Sequence, residues 1–114
     1  MNSKTTLTKL EEEIEEIQKK LLELGPMHPG SVSFQHHVCG KTGCKCMHPT
    51  NPQPHGPYCK LFYVHRGKKV CRFVRADNTE EIQRRLKTYK EFRRLTNSWI
   101  SLSIKRAQVE FFPK

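Results

Sequence analysis

Three cysteines stand close together in a short polar segment, at Cys39, Cys44 and Cys46. Thiolates at this spacing suit Zn²⁺, which takes four nitrogen or sulfur ligands in a tetrahedron. Gly40 and Gly43 would let the backbone turn tightly around an ion. Because free cysteines are usually buried, three of them in a glycine- and lysine-rich turn favour a metal over ordinary reduced thiols. The sequence therefore predicts a structural zinc site with these three thiolates as ligands.

The fourth ligand of this predicted site has several candidates. His55 and His48 are the first two, with Cys59 or His36 behind them. The spacing leaves the choice open, because Cys-x-Cys is less usual than Cys-x-x-Cys in zinc ribbons. Cys59 and Cys71 lie in apolar, strand-like segments, so we expect both to be small buried side chains on opposite faces of a hairpin.

The charge of the chain is unevenly distributed. Between Gly25 and Ala76 there are eight Lys or Arg residues and no Asp or Glu, and the same segment holds all five cysteines and all six histidines. Residues 1–24 carry six acids and four bases, whereas residues 25–114 carry five acids and seventeen bases. Such an asymmetry is typical of proteins that contact a polyanion, so we expect a nucleic-acid partner.

The same segment offers little for catalysis or secretion. No carboxylate stands near the cysteines to orient a histidine or to act as a base, so we predict that the chain is not an enzyme. No signal peptide is visible, and the apolar stretches are too short to span a bilayer. Five cysteines cannot all pair within one chain. We therefore expect a cytoplasmic protein with reduced thiols and no membrane partner.

Two helices are predicted from apolar periodicity. Between Leu7 and Leu24, leucines and isoleucines recur every three or four residues, a heptad seam that ends at Gly25-Pro26. This helix could dimerise as a coiled coil or pack on its own chain, and the two alternatives are compatible. A second helix opens at Asn78, which has capping-box spacing, and is expected to run to about Ile104.

Three strands are predicted between the helices. Ser31–Val38, Tyr58–His65 and Lys69–Arg75 are rich in β-branched and aromatic residues, and residues 66–68 are typical of a hairpin turn. The predicted fold class is α+β. It consists of a heptad helix (residues 1–25) and a domain (residues 26–114) in which a zinc-stapled loop joins a small three-stranded antiparallel sheet, with the long C-terminal helix packed on the sheet and on the first helix.

Basic residues on or around the hairpin are the first candidates for nucleic-acid contacts: Lys60, Arg66, Lys68, Lys69, Arg72 and Arg75. A β-ribbon can lie in the major groove of duplex DNA. Most of these side chains would meet phosphates, and Arg72 and Arg75 are the better candidates for guanine edges. The last helix carries a second basic set, which is Lys87, Lys90 and Arg94.

The combined pattern resembles a known family. Cys39-Gly-Lys-x-x-Cys44-x-Cys46, followed by His55-Gly-Pro-Tyr58, an aromatic hairpin and a basic helix, is similar to an uncharacterised family of small bacterial and archaeal proteins. Members are often encoded within or beside transposases and other mobile elements. The resemblance covers about residues 29–100, beginning at a Pro-Gly-Ser start. It implies a genomic context rather than a mechanism, and it favours His55 over His48 as the fourth ligand.

Together these observations predict a small zinc-stabilised nucleic-acid-binding accessory protein of a mobile element. Its expected partners are duplex DNA, a second copy through the N-terminal helix, and a transposase or recombinase. The alternative is a protein-interaction adaptor or inhibitor, in which the first helix contacts the partner and the zinc only braces the fold.

Overall fold

The computed structural model, which describes residues 3–37, 43–51, 53 and 55–113, contains two helices and a three-stranded antiparallel sheet. The elements in chain order are α1 (Ser3–Glu23), β1 (Ser31–His37), β2 (His55–His65), β3 (Lys68–Val74) and α2 (Thr79–Phe111). Short 3₁₀ turns cover Lys45–Met47 and Ala76–Asn78. The fold class is therefore α+β, as the sequence predicts, with a sheet order of β1-β2-β3.

The hairpin between β2 and β3 turns within residues 66–68, as the sequence predicts. His65 pairs with Lys68, and Arg66 and Gly67 form the turn with φ values of 51° and 80°. A two-residue turn with positive φ at both positions matches the right-handed twist of the strands, so this turn is favoured over other hairpin turns. The resulting register places Cys59 opposite Val74 and decides which side chains share a face.

The two faces of the sheet differ in burial. Because side chains alternate along a strand, the pairing register assigns every second residue to each face. The inner face holds the sheet's most buried residues, Cys59 (3 % exposed) and Leu61 (4 %). The other side, called the open face below, contains Ser31, Ser33, Gln35, Tyr58, Lys60, Phe62, Val64, Lys69, Cys71 and Phe73.

The chain divides into two compact units, Met1–Met27 with Lys87–Lys114, and His28–Leu86. In the first unit, α1 and the later part of α2 run antiparallel. Leu10 lines a cavity together with Gln108, whereas Lys20 lines another with Arg94. An ion pair between Glu11 and Arg106, at 3.3 Å, joins the same two helices.

The heptad seam of α1 is used within one chain. Leu10 and Ile14, in the middle of the seam, are 8 % and 7 % exposed, and Leu95 on α2 is 2 % exposed. Burial of these side chains supplies most of the stability of such a helix pair, at about 2 kcal/mol each. The seam therefore packs intramolecularly, and dimerisation through this helix stays a prediction.

Helix α2 continues to Phe111 instead of ending near Ile104. Leu102 lines a cavity with residues of α1, and Arg106 pairs with both Glu11 and Glu110. Packing against α1 thus extends the helix through a tail that the sequence alone leaves ambiguous. No helix in the described part of the chain is both long and apolar enough to cross a membrane.

In the second unit, the segment before β1 is held by the start of α2. The amide of His28 donates to the carbonyl of Arg85 at 3.0 Å. The His28 ring lies edge-on to the Tyr63 ring, with centroids 4.7 Å apart. Leu86, next to Arg85, is buried. These contacts hold the entry to the sheet in one position.

Candidate functional site

The loop that contains the cysteines is organised around a 3₁₀ turn. The amide of Met47 donates to the carbonyl of Cys44 at 3.0 Å, and the amide of Gln53 donates to the carbonyl of Lys45 at 2.9 Å. Cys44 is half-buried and lines a cavity of about 540 Å³ together with His48. Backbone hydrogen bonds therefore close the loop, and Cys44, one of the predicted ligands, lines its cavity.

The predicted zinc ligands fall only partly within the structure described. Cys39 lies outside the described residues. Cys46 belongs to the 3₁₀ turn and His55 begins β2, but their side chains also lie outside the description. Among the described residues, no group of three His, Cys, Asp or Glu side chains is arranged to hold a metal. The zinc site accordingly stays a prediction.

The sheet register places the end of β1 beside the start of the His-Gly-Pro-Tyr motif. His37, at the end of β1, pairs with His55, at the start of β2. Cys39 follows His37 by two residues in the sequence. The end of β1 that leads into the cysteine segment is therefore the end that adjoins His55, an adjacency that requires the tertiary structure.

His48 accepts hydrogen bonds within the cysteine loop. Its Nδ1 accepts from the amides of Thr50 (3.3 Å) and Asn51 (3.0 Å). The ring thereby orders the turn that follows it. The assignment of the fourth ligand to His55, with His48 as the alternative, stays a prediction.

Cys59 and Cys71 lie on opposite faces of the hairpin, as predicted, but they differ in burial. Cys59 is buried on the inner face, as expected. Cys71 pairs with Phe62 on the open face and is exposed, so the prediction that it is buried was wrong. The error has a simple cause, because alternation assigns a residue to a face but does not say which face is covered. Neither residue lies in the cysteine loop.

The register also divides the predicted basic hairpin into two sets. Lys60 and Lys69 lie on the open face, whereas Lys68 and Arg72 alternate onto the other side. Arg66 lies in the exposed turn, and Arg75 directly follows β3. The hairpin therefore does not present all its cations to one ligand.

Aromatic side chains accompany the lysines of the open face. Phe73 is 60 % exposed and Phe62 is 38 % exposed. The rings of Tyr58 and Phe73 lie on neighbouring strands with centroids 5.9 Å apart. These rings are not among the site residues predicted from the sequence, although the alternation Tyr58-x-Lys60-x-Phe62 indicates them.

The lysines of the open face have no acidic neighbours. Within the described ranges, no carboxylate lies within ion-pair distance of Lys60 or Lys69. By contrast, Glu91 accepts hydrogen bonds from Arg94 and raises its pKa. A hydrogen bond from Arg85, with help from Arg84, lowers the pKa of Glu81. The positive charge of α2 is thus partly compensated, whereas that of the open face is not.

The second basic set lies in the first unit. Lys87, Lys90 and Arg94 are exposed on α2. Arg94 is already paired with Glu91. Since Glu91 offsets one of the three positive charges, this set is the weaker candidate for phosphate contacts.

Comparison with known proteins identifies a family but no characterised relative. A family model described as a domain of unknown function, DUF6788, matches residues 7–84. That range contains the cysteine loop, the whole sheet and the beginning of α2. No curated protein and no solved structure matches the chain.

Proposed function

The chain belongs to the DUF6788 family, and we propose that it is a small zinc-stabilised nucleic-acid-binding protein that acts as an accessory of a mobile element. The observation that carries the proposal is the open face, where Lys60 and Lys69 lie beside exposed aromatic rings and, among the described residues, have no carboxylate within ion-pair distance. Phosphates bind such uncompensated cations and release counterions as they do so.

Zinc in this proposal has a structural role. Cys39, Cys44, Cys46 and His55 would hold the ion at the end of the sheet where β1 and β2 adjoin. The ion would link the cysteine loop to this end of the sheet. It would thereby hold β2 in place, the strand that carries Tyr58, Lys60 and Phe62. The proposed context of a transposase or recombinase rests on the resemblance of the motif.

Nucleic-acid binding is expected to depend on salt and on the lysines of the open face. A DNA of about 20 nucleotides, offered as a single strand and as a duplex, covers the site sizes usual for small modules. For two to four phosphate contacts, the affinity should fall roughly ten- to a hundredfold between about 50 and 200 mM salt. Fluorescence anisotropy with a labelled DNA measures this dependence.

The matched variants for this experiment remove equal charge from two places. The double change Lys60→Ala and Lys69→Ala should weaken binding and reduce the salt slope by about 2. Lys9→Ala with Lys19→Ala removes the same charge from the acidic helix α1 and should leave binding nearly unchanged. Equal effects of the two double variants, or an affinity that is indifferent to salt, would count against phosphate contacts on the open face.

A second function is favoured by an apolar stripe on α2. Ile100, Ile104 and Phe111 are 57 %, 66 % and 70 % exposed. At 3.6 residues per turn they fall on one side of the helix, opposite to Leu95 and Leu102. Such a stripe suits helix-mediated contact with a second copy or another protein through α2, whereas the adaptor hypothesis drawn from the sequence assigns this contact to the first helix.

The second function predicts self-association through the stripe of α2, as an alternative to the dimer through α1 that the sequence predicts. Ile104→Asp should convert a dimer to a monomer with the fold retained, because the side chain is exposed in one chain and would be buried in the interface. Leu22→Asp, at an 88 % exposed position on α1, is the matched control. Light scattering after size exclusion gives the mass of each variant. A wild type that is monomeric at all concentrations would exclude a homodimer.

A further inference from the structure

The open face of the sheet combines aromatic rings with an uncovered apolar surface. It carries three aromatic rings, Tyr58, Phe62 and Phe73, spread over two neighbouring strands. Phe73 and Val64 are 60 % and 59 % exposed, so the apolar surface is uncovered rather than part of the core. An exposed aromatic surface of this kind in a soluble protein indicates a binding site.

The two lysines of the open face take different positions relative to the rings. Lys60 lies between Tyr58 and Phe62 on β2 and directly opposite Phe73 on β3. Lys69 lies opposite Val64, near the hairpin turn. Side chains two apart on one face of a strand are separated by about 7 Å. On β2 one cation therefore lies between two rings at nearly regular intervals.

Sequence-neutral binding of single strands needs this combination. Bases that are not paired can stack on aromatic rings, and cations beside the rings meet the phosphates that connect the bases. A duplex keeps its bases stacked inside the helix, so exposed rings would gain little from it. We propose that the open face binds single-stranded nucleic acid, with bases stacked on Phe73, Phe62 and Tyr58 and phosphates near Lys60 and Lys69.

The neighbouring surface agrees with such a ligand. Ser31, Ser33 and Gln35 of β1 continue the open face beyond β2 with small or uncharged polar side chains. They present hydrogen-bonding groups to bases or sugars without steric obstruction. No Asp or Glu occurs anywhere between Gly25 and Ala76, so no acid on these three strands repels a phosphate. The charge complementarity favours a polyanion over a second copy of this basic chain.

This inference rests on the proposed function and specifies its ligand. It differs from the expected duplex complex, in which Arg72 and Arg75 would contact guanine edges. Arg72 is assigned by the register to the face opposite the rings. A ligand on the open face would therefore be bound by stacking and by lysines, with little discrimination between sequences.

The test compares single strands with a duplex and with a strand that keeps the phosphates but lacks the bases. Labelled single strands of about 12 nucleotides, as DNA and as RNA, are titrated alongside the matching DNA duplex and an abasic DNA strand of equal length. We expect at least one of the two single strands to bind more tightly than the duplex. Because the abasic strand keeps the phosphates and lacks the bases, it should bind more weakly than the normal strand of DNA.

Variants of the rings separate stacking from charge. Phe73→Ala and Phe62→Ala should each weaken single-strand binding about five- to a hundredfold, the usual effect of losing one stacked base. Neither change should weaken the binding of the abasic strand. Phe34→Ala is the matched control, because Phe34 is 48 % exposed but lies on the other face of the same sheet. Circular dichroism verifies that each variant remains folded.

The outcomes distinguish this inference from the proposed function. If the duplex binds at least as tightly as both single strands and the Phe73 variant is unaffected, the inference is overturned while nucleic-acid binding stands. If no nucleic acid binds, both fail. If Phe73→Ala instead converts a dimer to a monomer and leaves nucleic-acid affinity unchanged, the open face is a contact between copies and the inference is overturned.

Discussion

Replacing Cys44 by serine is expected to remove zinc from the protein and to destabilise the unit that contains the sheet. Structural zinc sites contribute on the order of 10 kcal/mol of binding free energy, which is available to the folded state alone. A domain of this size is stable by only about 5–15 kcal/mol. Losing even part of the zinc contribution should therefore lower the melting temperature strongly or prevent folding.

Two measurements check this expectation. Metal analysis by mass spectrometry should find about one zinc per chain in freshly purified wild type and almost none in the Cys44 variant. Thermal unfolding followed by circular dichroism reports the loss of stability. Cys71→Ser is the matched control, because Cys71 is exposed on the open face and lies outside the predicted ligand set. Wild type that contains no zinc would refute the site.

The identity of the fourth ligand follows from a second pair of variants. His55→Asn should lose zinc, whereas His48→Asn should retain it. The hydrogen bonds from Thr50 and Asn51 to the Nδ1 of His48 explain why its loss should cost only about 1 kcal/mol of loop stability. Loss of zinc in the His48 variant alone would reverse the assignment.

Replacing Gly30 by alanine is expected to destabilise the sheet by at least about 3 kcal/mol. Gly30 has a φ of +107°, a conformation that costs an L-residue about 1–3 kcal/mol. An added Cβ would also lie 2.2 Å from the carbonyl oxygen of Phe62 and 2.8 Å from the Cβ of Tyr63. Neither atom can move away without shifting β2.

Denaturant unfolding of paired glycine variants measures this effect. Gly56, within the His-Gly-Pro-Tyr motif, has a φ of +125°, and its Cβ would lie 2.6 Å from the carbonyl oxygen of Gln35, so Gly56→Ala should also be destabilising. Gly25→Ala is the control, because no atom lies within 4 Å of its added Cβ. Equal denaturation midpoints for the Gly30 and Gly25 variants would show that the sheet tolerates the Cβ added at Gly30.

These two glycines also give a physical reason for motif residues that carry no chemistry. Gly56 adjoins β1 beside Gln35, where the register between the two strands shifts. Gly30 lets the chain pass Phe62 as it enters β1. Both positions support the strand that carries the aromatic rings, so their substitution should weaken nucleic-acid binding only through loss of the fold.

Local patterns in the sequence predicted the elements well. The heptad period from Leu7 to Leu24 indicated α1, and β-branched and aromatic runs indicated the three strands, because each pattern reflects one-sided burial at a fixed period. Element ends were less accurate. Helix α2 reaches Phe111 because packing in the first unit supports its last turns, and that packing partner is far away in the sequence.

The sequence by itself determined the chemistry that is available: soft metal ligands at short spacing, an acid-free basic segment and, on β2, a lysine between two alternating rings. Only the tertiary structure decided how these residues are grouped. The turn at Arg66-Gly67 set the register that places Lys60 with Phe73 and separates both from Arg72. A change of one residue in a turn moves side chains relative to their cross-strand neighbours, and the covered face depends on what packs against the sheet.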